Sequence, residues 1–334
     1  MKVIDSFLFF QEFELLEIRL RYLDPFVDIF VIFEANQTFS GASKNFNYEI
    51  NQERFKKYKN KILYYKFDHQ FNNYFEIQEF LRSESKICKN IAQMLDRHDY
   101  YPKSDINWVL DACHRECMHI PIDSIASQDD LVLFSDIDEI PNEEFFKVAI
   151  HEKERPVLSV QNEFDARLNR YKGNRWSGTI SGTWVHLRDR SFNDLRKNAL
   201  KKDKKVFSLV NPGGYHFSSC ASIQDIKDKI RAYGHQEFNN FITLNFIELN
   251  ISYGKDIFWR NDISYQILGN ESNLIDARMQ DIINCYPHLV SPPIKKSIIP
   301  IKTIIANIVP MGLITQRANN FRKVFLLNSI ISRV

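Results

Sequence analysis

Two short stretches hold residue types and spacings that can do chemistry. The first is Ser135-Asp136-Ile137-Asp138-Glu139-Ile140-Pro141, three acids within four residues directly after the apolar run Leu131-Val132-Leu133-Phe134. Carboxylates in an Asp-x-Asp pair are hard oxygen ligands that suit Mg²⁺ or Mn²⁺, above all when a substrate diphosphate completes the shell. The second is Asn211-Pro212-Gly213-Gly214-Tyr215-His216-Phe217-Ser218, where a proline and two glycines make a tight turn and aim His216 from the end of a strand. Asp136, Asp138 and His216 are therefore the expected metal ligands. The plain alternative is a solvated acidic loop or a helix start, since Asn142-Glu143-Glu144 opens a helix-like stretch. The buried strand before the acids favours the ligand reading.

These residues need elements to position them. Four apolar residues between turn formers read as a strand buried on both faces. Upstream, 3–10 reads as a first strand, 12–23 as a helix with a broad apolar face, 27–33 as a second strand and 61–67 as a third. Strand-helix-strand spacing of this kind implies right-handed parallel crossovers, hence an α/β chain with a mostly parallel central sheet flanked by helices. Open α/β sheets bind ligands at the rim where the strands end. Glu34 and Asp68 close the second and third strands, where they are candidates to bond a base or ribose, or ordinary turn residues. A helix is expected over 83–95. Another, over 108–120, carries Arg115, a candidate phosphate ligand or a plain surface ion-pair partner. A further helix spans 143–150, and one over 223–233 carries Lys229, which can neutralise a leaving phosphate or face solvent. Beyond Pro156 the pattern turns to strands over 157–160, 179–187 and 205–210, interspersed with Glu163, Asp165, Trp176 and Trp184. Acids beside aromatic planes suit a sugar, whose C–H faces pack on rings while its hydroxyls bond carboxylates.

The chain has 334 residues, 44% of them hydrophobic, and a formal charge of +2. That charge hides an asymmetry: from Lys295 to Val334 there are seven Lys or Arg and no acid, so the remainder is net acidic. A general nucleic-acid partner is not expected, whereas the tail favours an anionic surface. Phe321, Val324, Phe325 and Ile331 fall near one helical face among basic residues, the pattern of a helix lying peripherally on a membrane or packing back on the domain. The apolar stretch 298–314 is interrupted by Pro300 and Pro310 and is short for a span. Five scattered cysteines offer no zinc spacing and read as reduced and structural. Met1-Lys2-Val3-Ile4-Asp5 runs into a strand rather than a signal peptide, so the expected location is cytoplasmic, with possible attachment at the inner face of the membrane.

Taken together, Val3-Ile4-Asp5-Ser6-Phe7, Glu14-Leu15-Leu16-Glu17-Ile18-Arg19-Leu20, Phe30-Val31-Ile32-Phe33-Glu34-Ala35, Thr38-Phe39-Ser40-Gly41, the Asp136 and His216 stretches and Gly254-Lys255-Asp256-Ile257-Phe258-Trp259-Arg260 resemble glycosyltransferase family 17, in order over about residues 3–262. The resemblance implies a GT-A-type nucleotide-sugar-binding fold. It also implies inverting, metal-dependent transfer from UDP-GlcNAc to a glycan, polysaccharide or lipid-linked acceptor. Residues 1–294 then form the catalytic domain, with 1–141 the nucleotide-sugar and metal half, 142–294 the acceptor half, and 295–334 a basic amphipathic tail. Asp136 binds donor as well as metal in this reading. Inversion requires a carboxylate base for the acceptor hydroxyl, and Glu163, Asp165 and Asp262 are the candidates. Tyr215 stands where the family is expected to have tryptophan. A sugar-phosphate nucleotidyltransferase is the first rival, but Phe9-Phe10-Gln11-Glu12 is not the glycine-rich basic loop that chemistry uses. A non-catalytic sugar- or nucleotide-binding protein is the second.

Overall fold

The computed structural model describes residues 1–99, 101–260 and 262–293. The expected tail, 295–334, lies outside the described residues. Ten strands form one sheet: β1 (Val3–Leu8), β2 (Ile29–Ala35), β3 (Ile62–Phe67), β4 (Leu131–Asp136), β5 (Glu139–Pro141), β6 (Val157–Asp165), β7 (Arg170–Thr183), β8 (Ser208–Val210), β9 (Gly214–Ser218) and β10 (Gln266–Ile267). Their order is β3-β2-β1-β4-β7-β6-β9-β5, with β10 on β7 and β8 on β6.

The first four strands in that order are parallel, and the apolar runs of β2 and β4 suit strands covered on both faces, while β1 interrupts its apolar residues with the buried Asp5 and Ser6. Two apolar layers cover them. One includes Leu16 and Leu20 of the helix Phe13–Leu23, and the other includes Leu110 and Cys113 of the helix Ile106–Cys117. From β1 the chain steps outward to β2 and β3, then returns to the other side of β1 as β4. That reversal opens a crevice between the ends of β1 and β4. Beyond β4 the sheet becomes mixed. β7 runs antiparallel to both β4 and β6, while β6 is parallel to β8 and β9.

Several expected elements shift. Residues 74–97 form two helices, Tyr74–Ser83 and Lys86–Arg97, because Ser85 caps a new start by accepting the Cys88 amide. The strand expected over 179–187 ends at Thr183. Trp184–Leu187 is a helical turn that buries Trp184 and Leu187 while exposing Val185 and His186. Glu139–Pro141 is itself the edge strand β5, where the missing amide donor of Pro141 is tolerated. The helices Phe192–Ala199 and Phe241–Ser252 were not anticipated. No helix among the described residues is long and apolar enough to cross a membrane.

Candidate active site

A cavity of about 530 Å³ fills the crevice. Its floor comes from Leu8, Phe9 and Phe10 after β1, from Phe33 and Ala35 at the end of β2, and from Asp136, Ile137 and Asp138 after β4. Trp176, Arg196, His216 and Lys229 complete the wall on the side of the mixed strands.

The turn after β4 is held from beneath. Arg19, fully buried on the helix Phe13–Leu23, pairs with Asp5 of β1 at 2.6 Å. Its Nη1 donates to the backbone carbonyls of Asp136 (3.1 Å), Ile137 (3.1 Å) and Glu139 (2.9 Å), and its Nη2 to the Ser135 hydroxyl at 2.7 Å. One guanidinium thus binds three carbonyls of the turn, while the Thr179 hydroxyl shares the Glu139 carbonyl at 2.8 Å and the Phe217 amide donates to that of Asp138 at 2.8 Å. The side chains of Asp136 and Asp138 are left to face the cavity.

Asp136 meets two guanidinium groups, Arg115 at 3.3 Å and Arg196 at 3.0 Å. Burial pushes its carboxyl up, but Arg196 and Arg115 outweigh that and hold it well below the usual range. Asp138 lies 3.1 Å from Lys229 Nζ, and Lys229 also pairs with Glu12 at 3.1 Å. Burial disfavours the Lys229 charge, yet Asp138 and Glu12 keep the ammonium protonated. Glu139 is fully buried, gripped by Arg196 and by the Trp176 indole N–H at 2.7 Å.

His216 reaches this turn because β9 pairs with β5, setting His216 opposite Glu139. Gly214 makes that pairing possible: its φ is +149°, and a Cβ there would collide with the Ile140 carbonyl. The imidazole stacks on Trp176 with centroids 4.6 Å apart, and its Nε2 faces Asp138 Oδ1 at 3.7 Å. Two donors that close could both ligate one divalent ion. Among the described residues, the ion pairs around the turn link five carboxylates (Glu12, Asp111, Asp136, Asp138, Glu139) to three Lys or Arg side chains (Arg115, Arg196, Lys229). Two negative charges remain, which suits one divalent cation. Among the described residues no group of three or more His, Cys, Asp or Glu side chains gathers as a ready metal cage. Asp138 and His216 supply two of the donors such an ion would need, and a substrate's phosphates could supply others.

At the other end the cavity is apolar. His114 lies against Phe39, with ring centroids 5.5 Å apart. Burial, with Lys44 and Arg115 nearby, pushes its pKa down to about 3, so the ring is neutral. The rim closes where the Ser40 amide donates to the Ala232 carbonyl at 2.9 Å.

Residues 1–106 match glycosyltransferase family 17. On that match the chain is a glycosyltransferase. The matched segment supplies β1 to β3 and ends before β4, so Asp136, Asp138 and His216 lie beyond it. No curated protein matches the chain.

Within this glycosyltransferase, Arg115, Asp136, Asp138, His216 and Lys229 all line the one cavity. The other expected site residues do not. Glu34 is fully buried, its carboxylate spent on Lys44 (2.5 Å), the Asn47 and Tyr48 amides and the Tyr64 hydroxyl, so it anchors the loop after β2 instead of meeting a nucleoside. Asp68 is exposed and takes the Asn36 side chain at 2.5 Å. Glu163 sits beside His216 in register but is closed off by Lys172 at 2.5 Å. Asp165 is buried between Arg170 and the Tyr265 hydroxyl, and Asp262 is exposed and does not line the cavity. Arg196, Glu12, Lys44, Asp111, Trp108 and His114 line the cavity without having been singled out for that role. Ser191 followed three residues later by Asp194 is a helix-start signature that would have drawn attention to the Arg196 helix.

Proposed function

We propose that this glycosyltransferase is inverting and metal-dependent, moving GlcNAc from UDP-GlcNAc onto a hydroxyl of a glycan, polysaccharide or lipid-linked acceptor. The observation that carries this reading is the Asp138–His216 pair facing the crevice between β1 and β4, flanked by Arg115, Arg196 and Lys229. The UDP-GlcNAc assignment and the inversion rest on the family resemblance.

In this reading the nucleoside lies against the apolar end, between the β2 terminus and Phe39. Its diphosphate points to the Asp-x-Asp turn, and the sugar packs against Trp176. Asp138 and His216 would hold the divalent ion together with the diphosphate, Asp136 lying nearby, and the ion would neutralise charge on the departing diphosphate. Lys229 supplies a fixed positive charge to the same leaving group. The acceptor oxygen attacks the anomeric carbon opposite the diphosphate, and the new β linkage forms as the bond to UDP breaks. The acceptor proton passes to a carboxylate of the cleft. Glu12 and Asp111 line the cleft outside the Asp-x-Asp pair and replace Glu163, Asp165 and Asp262 as candidates for that role.

Enzyme supplied with Mn²⁺ is to be incubated with UDP-, GDP- and CMP-sugars against extracts containing each acceptor class. A β-linked GlcNAc product made from UDP-GlcNAc is the expected result. An α-linked product or a preference for another nucleotide contradicts the proposal, and pyrophosphate release from UTP with GlcNAc 1-phosphate would favour the nucleotidyltransferase.

A further inference from the structure

The helix Phe192–Ala199 is pinned at its start. Glu116, buried on the helix Ile106–Cys117, accepts the Ser191 hydroxyl at 2.5 Å, the Phe192 and Asn193 amides at 3.1 Å each and the Asn193 side chain at 2.8 Å. A fixed first turn sets Arg196, one turn further on, in the cavity wall. There its guanidinium is divided between two carboxylates. Nη1 and Nη2 grip Glu139 as a fork at 2.7 and 2.8 Å, and Nη2 also donates to Asp136 at 3.0 Å. Glu139 is wholly buried and further committed to Trp176 and to the Asp136 amide, so that half of the contact is fixed. Asp136 is different: its side chain is 34% exposed, against 8% for Asp138 and 9% for Glu12.

We propose that Arg196 exchanges Asp136 for the nucleotide diphosphate when donor and metal enter, screening Asp136 in the free protein and binding phosphate in the complex. This rests on the donor reading above. A guanidinium has five N–H donors, and the swap redirects only the Nη2–H that faces Asp136. The fork on Glu139 stays in place, so the cation keeps its position while its second partner changes. Asp136, released, turns toward the ion beside Asp138. No covalent bond is altered, and the charge that leaves Asp136 is met by that ion. Planar, two-pronged recognition of this kind is what guanidinium does better than ammonium.

Calorimetric titration of the full chain tests the exchange in two arms, Mn²⁺ alone and UDP at saturating Mn²⁺, with a melting curve for each variant. Arg196→Gln is expected to bind Mn²⁺ alone more tightly, because Asp136 loses its screen, and to bind UDP more weakly by roughly tenfold or more. Arg196→Lys keeps the charge without the fork, so both of its changes are smaller and in the same directions. Loss of a merely structural contact weakens both ligands together. Parallel weakening with a lowered melting point, or unchanged UDP binding in a folded variant, overturns the proposal. If the wild type binds no UDP at all, the donor reading and the exchange fall together, while the Mn²⁺ arm still reports whether Arg196 screens Asp136.

Discussion

Arg19 and Asp5 form a fully buried ion pair, with Nε and Nη2 of the one 2.8 and 2.6 Å from the two carboxylate oxygens of the other. The pair joins the helix Phe13–Leu23 to β1, and the rest of the guanidinium holds the carbonyls after β4. Removing one partner of such a pair leaves a buried charge without compensation. Asp5→Asn is therefore expected to lower the unfolding free energy by about 3–5 kcal/mol, measured by urea titration. UDP binding by the fraction still folded also weakens, because the turn carrying Asp136 and Asp138 is released. A normal urea midpoint would show that Asp5 is not what retains Arg19.

The proton acceptor is decided by three conservative variants. Glu163→Gln is expected to keep near-normal turnover, because Glu163 does not line the cavity. Of Glu12→Gln and Asp111→Asn, at least one is expected to lose about 10²–10⁴-fold in kcat, the usual contribution of a positioned base. A collapse in Glu163→Gln with both others active would restore Glu163 to the site.

His114 gives a pH signature. Its pKa is lowered from 6.5 to about 3 by burial and by Lys44 and Arg115, so the unfolded chain binds the proton first as pH falls. The stability this residue contributes is full above pH 6.5 and is lost progressively as pH drops from there toward about 3. His114→Phe, which places an apolar ring beside Phe39 and Phe67, should flatten the fall of the urea midpoint between pH 6.5 and pH 4. An identical profile in wild type and variant would mean that the imidazole is not held neutral.

The scaffold was legible where one segment alone carries the signal. β2 and β4 are built on continuous apolar runs, β1 on an apolar run broken only by Asp5 and Ser6, and Asp136 and Asp138 follow the β4 run by simple spacing. His216 was legible from its turn chemistry, although the reason Gly214 is needed there, its contact with the Ile140 carbonyl, is a tertiary fact. Arg196 reaches Asp136 and Glu139 across 60 and 57 residues, a contact with no local trace. Glu34 and Glu163 misled for a common reason. Each is an acid at or near a strand end, but a lysine in a neighbouring segment claims it. Sequence pattern locates an acid at the end of a strand; tertiary packing decides whether it faces the cavity, as Glu12 and Asp111 do and Glu34 and Glu163 do not.

The central claim is that the cleft at the ends of β1 and β4 binds the donor diphosphate through Asp138. The most direct measurement is UDP affinity in saturating Mn²⁺ for wild type and Asp138→Ala, each with its melting curve. The account predicts a folded variant with a melting point at or above that of the wild type, since one carboxylate leaves a cluster in excess of negative charge. It also predicts that Mn²⁺-dependent UDP binding and transfer from UDP-GlcNAc are both lost in that variant. A folded Asp138→Ala protein that binds UDP and transfers sugar like the wild type would contradict it.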